Sequence, residues 1–460
     1  MSATYRLEDP TTGTVLETFD TLTDEQATAA VDRAHTAYLT WRTTSVEERA
    51  AIVNRIAELF EERKQQLAEI ISQEMGKPIS EGIEEAEFSS AIFAYYAGIA
   101  ADHLKDELIP SSAENSEAYI QRKPLGALLG IMPWNFPYYQ VARFAAPNLM
   151  LGNTIVLKHA EICPKSALAI AEIMKDAGVP EGAYEAVFAS HDQIEAMIGH
   201  RHIQGVSLTG SERAGAIVAG IAGRNLKKAV LELGGSDPYI VLDTDNVAEA
   251  AATAWGFRMY NTGQACNSNK RMIVMADIYD EFVAELVKLA EAMKPGKPAE
   301  ADETTYMALS SRSAAEGLKK QLDAAVAAGA TLRAGGQLLD EKSAYLSPAV
   351  LTDVPVGSEV YYQELFGPVA TVYRVESDEE AIELANNTQY GLGGAVFSQD
   401  EARARRLAQQ IDAGMVNVNT PAGEGAEIPF GGVKNSGYGR ELGPYGMDEF
   451  VNKRLYFVQK

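Results

Sequence analysis

The chain is poor in cysteine and histidine, has no long apolar run, and is short of positive charge. Its 460 residues include 2 cysteines and 6 histidines. Two cysteines cannot build a disulfide framework, which excludes the stapled secreted folds and makes the reducing cytoplasm the expected compartment. Only His200 and His202 lie close together, without the i, i+4 helical spacing or the cysteine partners of a zinc site, so no metal centre is expected. No apolar run reaches the ~18–20 residues of a membrane-spanning helix. The opening "MSATYRLEDPTTG" lacks the basic-then-apolar layout of a signal peptide. The formal charge is −24, from 64 acidic and 40 basic side chains. Such a field repels nucleic acid and anionic membranes, which leaves a small molecule as the expected partner.

The chain is too long for one ordinary core, and two or three domains are expected. The first hundred residues carry helical patterns. Thr23 with Gln26, and Ser45 with Glu48, stand at capping-box spacing before amphipathic runs. The acidic cluster "EGIEEAE" at 81–87 reads as a solvated helix face. From about residue 120 short apolar runs, "GALLGIM", "TIVLK", "YEAVF" and "GVSLTG", alternate with helical stretches, as parallel βαβ units do. The alternation resumes with "PYIVL" and "RMIVM". Two α/β domains follow, with a boundary near "LELGGSDP". The tail "NKRLYFVQK" reads as a strand that completes a sheet on a neighbouring subunit.

Four segments combine chemically useful residues with stiff backbone. "PWNFP", 133–137, presents Asn135 from a proline-braced turn after a strand, on the edge where open α/β sheets bind ligands; it is equally a plain rigid turn. "LTGSERAG", 208–215, runs through Gly210 and Ser211 into a helix, a weak phosphate signal that a simple cap would share. "LELGGS", 231–236, ends an apolar strand on Glu232, where one-sided desolvation raises a carboxyl toward general-base range. "YNTGQACNSNK", 260–270, sets Cys266 in polar surroundings near backbone N–H groups, which predicts a lowered thiol pKa and a nucleophile. Cys163, in "AEICPKS", reads as packing, with a redox partnership to Cys266 as the other idea.

Together these segments, with "QELFGPV" and "PFGGVKNSGYGRE" in the same order, resemble the aldehyde dehydrogenase superfamily from end to end. "LKHA", "LELGGSDP" and "NKRMIV" resemble its short succinate-semialdehyde dehydrogenase branch. The resemblance implies an α/β fold in three parts. These are an NAD(P)-binding Rossmann-type domain (1–105 and 125–236), an α/β catalytic domain (237–435), and an oligomerisation arm with C-terminal tail (106–124 and 436–460) in a homodimer or homotetramer. It implies that Cys266 attacks the aldehyde, that Asn135 and the Cys266 N–H hold the oxyanion, and that Glu232 activates the water that hydrolyses a thioester. One oxyanion donor is worth ~3 kcal/mol.

For the cofactor, NAD or NADP, the resemblance implies Trp134 and Asn135 near the nicotinamide, and Lys158, His159, Ala160 and Glu161 at the adenosine ribose. Gly210 and Ser211 fall at the pyrophosphate, Leu233 in the nicotinamide pocket, Glu364 at the nicotinamide ribose, and Phe366 packed nearby. A carboxylate at Glu161 accepts from a ribose 2′-OH and repels a 2′-phosphate, so NAD is expected to serve at least as well as NADP. Succinate semialdehyde needs a cation. Arg143 matches an arginine used this way by related enzymes, through bidentate guanidinium–carboxylate pairing. Arg258 is a second candidate, although longer relatives place their arginine where this chain has Tyr260. Glu424 and Glu427, in "TPAGEGAEIPF", replace a serine-containing loop and leave a neutral or cationic aldehyde open. A CoA-acylating enzyme and a non-catalytic binding protein are the other classes. Glu232 argues against the first, and Cys266, Glu232 and Asn135 together against the second.

Overall fold

A computed structural model describes residues 4–460. The chain opens on an antiparallel hairpin, Tyr5–Asp9 with Thr14–Phe19, where the sequence pattern predicted only helices. Its turn signal was present: Asp9 accepts from Thr11, and Gly13 takes φ +68°. Tyr5 anchors the hairpin by donating its hydroxyl to the Ala189 carbonyl at 3.1 Å.

Helices Asp24–Trp41, Val46–Glu62, Lys64–Met75 and Ile79–His103 follow. Both capping boxes form, Thr23 with Gln26 and Ser45 with Glu48. The acidic cluster departs from the solvated face expected of it. Helix Ile79–His103 is packed on several sides, so two of its carboxylates point inward. Glu85 is buried 2.5 Å from Lys77, itself buried, and accepts from the N–H groups of Tyr138 (2.8 Å) and Tyr139 (3.2 Å). It thereby caps the N-terminus of helix Pro137–Leu151, whose dipole favours a negative charge there. Glu81 accepts from the Asn261 N–H at 2.8 Å. Only Glu84 and Glu87 of the cluster are exposed.

The βαβ segments build a six-stranded sheet. Its order is Gly437–Tyr438, Lys228–Glu232, Ile203–Thr209, Ala127–Met132, Thr154–His159 and Tyr184–Val187. All neighbours are parallel except the first pair. Chain order reverses between Ala127–Met132 and Ile203–Thr209, the switch point at which such sheets open a crevice. Ile131 pairs with both Lys158 and Leu208, and Thr209 pairs with Glu232. The segments 134–135, 158–161, 210–211 and 232–233 therefore leave the sheet along one edge.

Residues 238–418 supply a seven-stranded sheet whose centre is the parallel run Val369–Val375, Arg271–Met275 and Pro238–Val241. The tail strand Val451–Gln459 pairs antiparallel with Ser116–Pro124 of its own chain along all 9 residues, and Glu107–Ile109 lies on the far side of Ser116–Pro124. One side of the tail strand is thus paired within the chain, and its other side is the edge of this three-stranded sheet. Before reaching it, Gly437–Tyr438 crosses back onto Lys228–Glu232.

Breaking a buried ion pair by removing one partner costs about 3–5 kcal/mol. Glu85→Ala strands Lys77 and uncaps helix Pro137–Leu151, so it is expected to lower the thermal midpoint strongly. Glu87→Ala, on the same helix but paired only at the surface with Lys64, is expected to leave that midpoint unchanged.

Candidate active site

The loop that carries Cys266 is held against its own backbone preference. Helix Val247–Met259 ends, and Asn261 and Thr262 then adopt left-handed φ of 49° and 54°, which non-glycine residues seldom do. Three charged side chains fix them there. Glu81 takes the Asn261 N–H. Arg258, fully buried, donates to the carbonyls of Val369 (2.8 Å), Gly263 (3.0 Å), Leu365 (2.7 Å) and Gly367 (2.6 Å), and to the Ser268 hydroxyl (3.0 Å). Lys270 donates to the carbonyls of Ala265 and Cys266, both at 2.7 Å, and pairs with Glu364 at 3.0 Å. Sequence reasoning missed Glu81 and Lys270. It offered Arg258 as a substrate clamp, but the fold commits every donor of that guanidinium to the loop.

Cys266 opens on a cleft of about 640 Å³ walled by Tyr139, Tyr260, Phe430 and Asn269 among others. Burial pushes the thiol up to about 11; Arg143 and Lys270 pull it down, while Glu364 and Glu232 add to the rise. The expected lowered pKa is therefore reversed. A polar sequence neighbourhood did not make a polar site, because the sulfur packs against an apolar cluster that includes Leu392 and Phe430. At neutral pH the resting group is a thiol, and it needs a base.

Glu232 is a buried carboxyl group whose field reaches the thiol. It ends strand Lys228–Glu232, is buried, and neither carboxyl oxygen has a hydrogen-bond partner. Burial first, then Glu441, raise its pKa well above the ordinary carboxyl value, against Arg143 and Arg440. The group stands off the cleft wall. A Cβ on Gly431, at φ +150°, would lie 2.7 Å from Glu232 Oε1, so only glycine leaves the carboxyl that space. Arg143 Nε lies 2.8 Å from a Glu441 oxygen in a poorly aligned ion pair, its guanidinium over the rings of Tyr139 (4.6 Å) and Phe430 (4.4 Å). Those rings line the cleft; the guanidinium does not. Arg143 is thus already paired, with a carboxylate that the sequence reading did not consider.

Asn135 is buried, donates Nδ2 to the Gln264 carbonyl at 3.0 Å, and accepts on its own carbonyl from Asn261 Nδ2 at 2.9 Å. Its Oδ1 has no partner. These bonds tie the turn after Ala127–Met132 to the cysteine loop.

The other named residues gather along the same sheet edge. Trp134 meets Phe366 edge-on at 5.7 Å. Lys158 and Glu161 form an ion pair at 2.5 Å, with His191 at 3.8 Å from the same oxygen. His159 is neutral: burial drives it down to about 4, its Nε2 donates to the Pro137 carbonyl, and its Nδ1 accepts from Ala160 N–H. It pins the turn and has no free nitrogen for a ligand. Gly210 donates to the Glu232 carbonyl, and Ser211 caps helix Glu212–Arg224. Leu233 packs over Gly215, and Glu364 accepts from the Gly235 N–H at 3.2 Å. Thr209 Oγ1 and Glu212 Oε1 flank Gly210 and Ser211, buried without partners. The N-terminus of helix Glu212–Arg224 and the Thr209 hydroxyl beside it fit a dinucleotide phosphate, whereas the Glu212 carboxylate, an acceptor only, does not serve one. The unpaired Thr209 hydroxyl had no signal in the sequence.

Cys163 is buried, with its thiol directed at the Trp134 carbonyl. His200 and His202 acquire Asp32 across the fold, at 3.9 Å and 3.1 Å. His202 also accepts from Arg201, so its other ring nitrogen donates to Asp32. His202 is thus engaged at both ring nitrogens.

A thiol near 11 fixes how alkylation depends on pH in the protein without cofactor. Carbamidomethylation by iodoacetamide, followed by peptide mass spectrometry, is expected to mark Cys266 alone, with a rate rising roughly tenfold per pH unit through the neutral and mildly alkaline range. A rate already on its plateau at neutral pH would contradict the raised value, and modification of Cys163 would contradict its burial.

The chain matches the Aldehyde dehydrogenase family over residues 1–455. It is 51% identical over 450 residues to a succinate-semialdehyde dehydrogenase [NADP(+)] of Deinococcus radiodurans, covering 97% of this chain and 93% of that one. A Mycobacterium tuberculosis protein of the same description is 41% identical over 98% of both chains. Among solved structures, the succinic semialdehyde dehydrogenase of Streptococcus pyogenes in complex with NADP+ superimposes with a TM-score of 0.95 at 40% identity, over 99% of this chain and 100% of that one. Betaine aldehyde dehydrogenase of Staphylococcus aureus with NAD+ gives 0.95 at 31% identity, over 99% and 91%. This chain belongs to the aldehyde dehydrogenase family.

Proposed function

We propose that the chain oxidises an aldehyde to its carboxylic acid with NAD(P)+, through a covalent intermediate on Cys266, and that succinate semialdehyde is its substrate. One observation carries the chemistry. A thiol open to a cleft lies in the field of a buried, unpartnered carboxyl group, at the edge where the parallel sheet presents a dinucleotide site. The names of the relatives support the substrate.

Burial favours the protonated form of both Cys266 and Glu232, and the first step uses the fraction in which Glu232 has given its own proton to solvent and can take the thiol's. The sulfur then forms its bond to the carbonyl carbon. The oxygen gathers negative charge opposite Asn135 Nδ2, which keeps one N–H beyond the bond to Gln264, and the Cys266 N–H. Arg143 lowers the thiolate's energy from behind the Tyr139 and Phe430 rings. Bound NAD(P)+ supplies the acceptor for the hydride that leaves the thiohemiacetal carbon, which leaves a thioester on Cys266. Glu232, once it has passed the thiol's proton to solvent, swings from beneath Gly431 to take a proton from water. Hydroxide adds to the thioester, the C–S bond breaks, and the acid departs. A hydrolytic rather than a CoA-dependent release is supported by the space that Gly431 keeps for this carboxyl group.

The Lys158–Glu161 pair supports NAD at least as well as NADP. Lys158 meets its counter-ion within the chain, so a 2′-phosphate would gain little from it and would face Glu161.

In Glu232→Gln, acylation is expected to outlast deacylation. Rapid mixing with succinate semialdehyde should give no more than one equivalent of reduced cofactor per site, a covalent adduct on Cys266 by intact mass, and turnover lower by roughly 10²–10⁴. Cys266→Ala should give no burst. For the cofactor, Glu161→Ser is expected to raise kcat/KM for NADP relative to NAD by about tenfold; a wild-type preference for NADP over NAD larger than that would defeat the role given to Glu161.

A further inference from the structure

The peptide unit that joins Ala265 to Cys266 is held from behind by an ammonium group. Lys270 is 2% exposed and stands behind the cleft wall, to which Ala265 and Cys266 both belong. Its Nζ donates to the Ala265 and Cys266 carbonyls, both at 2.7 Å, and meets Glu364 Oε1 at 3.0 Å. An ammonium group has three N–H donors, and here each has its acceptor. Two successive carbonyls thus face one cation, and the Ser268 N–H closes the curl of the chain on the same Ala265 oxygen at 3.3 Å. The cation is held in turn. Glu364 Oε1 also accepts from the Gly235 N–H at 3.2 Å, in the segment that follows Glu232.

The direction of the amide follows from these bonds. The peptide is trans, so its N–H points opposite to its C=O. With the Ala265 oxygen turned to Lys270, the Cys266 N–H is turned away from it, and this N–H has no acceptor among the described residues. It is one of the two donors assigned above to the developing oxyanion. A cation on an amide oxygen also draws charge through the C–N bond and makes the N–H a stronger donor, as linked hydrogen bonds polarise one another.

We propose that Lys270 is a positioning residue of the oxyanion hole: it aims the Cys266 N–H at the substrate's carbonyl oxygen and strengthens it as a donor. The proposal deepens the function given above and rests on the reading of Cys266 as nucleophile. Lys270 touches neither the substrate nor the reacting atoms and acts through one amide. When sulfur adds to the aldehyde, the charge gathering on oxygen meets a dipole that is already aligned and polarised. The same ammonium group also lowers the Cys266 thiol through its field. Its removal therefore has two effects, one on the thiolate, felt with any electrophile, and one on the oxyanion, felt only with a carbonyl.

The test reads two rates at one pH on the purified full chain, with NAD+ saturating in both. Alkylation of Cys266 by iodoacetamide needs the thiolate but forms no oxyanion. Single-turnover formation of reduced cofactor from succinate semialdehyde or butanal needs both. Lys270→Met is expected to slow the second rate by about tenfold or more beyond any slowing of the first. The Lys270→Met, Glu364→Gln double variant, which leaves no unmatched carboxylate, is expected to show the same excess. Glu81→Ala loosens the same loop from its other side and is expected to slow both rates by one common factor. Equal slowing of the two rates in Lys270→Met and in the double variant, or an excess that Glu81→Ala reproduces, overturns the proposal. Because the two rates are compared within each variant, a general loss of folded protein does not imitate the effect. A wild type that forms no reduced cofactor from either aldehyde overturns the Cys266 chemistry and this proposal together. Wild-type turnover with equal slowing in the variants overturns this proposal alone.

Discussion

The site depends on a guanidinium that meets no carboxylate. Arg258 sits in the interior with all its donors on backbone carbonyls and one hydroxyl, and burial, opposed by the field of Glu364, lowers its pKa to about 9. A buried charge of this kind is costly unless every donor is satisfied. Here the satisfaction is supplied by the turn that precedes Cys266, the loop at Leu365–Gly367, and Val369. Folding that arginine therefore also folds the loop, left-handed residues included. Glu81 and Lys270 complete the constraint from opposite sides, one on the Asn261 N–H and the other on the Cys266 carbonyl. The strain at Asn261 and Thr262 persists because three separate stretches of chain over-determine it.

The same burial sets the protonation of the reacting groups. Desolvation is the largest cause of the rise at Cys266 and at Glu232 alike. A neutral thiol beside a neutral carboxyl is the state that a low-dielectric pocket prefers, and a thiolate next to a carboxylate is the one it resists. One negative charge at a time is tolerable, because Arg143 lies in the field of both groups. Its pairing with Glu441 moderates this without abolishing it, since Arg143 still lowers both pKa values. Proton transfer between sulfur and carboxyl then keeps the total charge of the pocket constant, which is the cheapest way to generate a nucleophile where water is scarce.

Local patterns announced local structure. The capping boxes at Thr23 and Ser45, the apolar runs 127–132, 154–159 and 203–209, and the four stiff segments all describe chain that is near itself in sequence. The parallel pairing that brings Asn135, Lys158, Gly210 and Glu232 to one edge follows from βαβ alternation, and was legible for that reason. What was hidden is long-range. Glu85 looks like surface acid until Lys77 and helix Pro137–Leu151 close over it. Arg143 looks like a free cation until Glu441 arrives from the last strands of the chain. Cys266 looks polar until Leu392 and Phe430 pack against it. In each case a side chain's partner lies far away in sequence, and the sign of its electrostatics depends on that partner.

The C-terminal stretch ties these observations together mechanically. Phe430 and Gly431 face the cleft and the Glu232 carboxyl, the Ser436 carbonyl receives the Leu233 N–H, and Gly437 pairs with Glu232 itself. Glu441 then reaches Arg143, and Val451–Gln459 runs out along Ser116–Pro124. One short length of chain therefore packs against Glu232, pairs with Arg143, and ends in an exposed strand. Leu455, Tyr456 and Phe457 of that strand face outward with half or nearly half their surface open. The backbone of Glu232 is thus held by the stretch that leads into the tail, while Gly431 leaves its carboxyl the space it occupies.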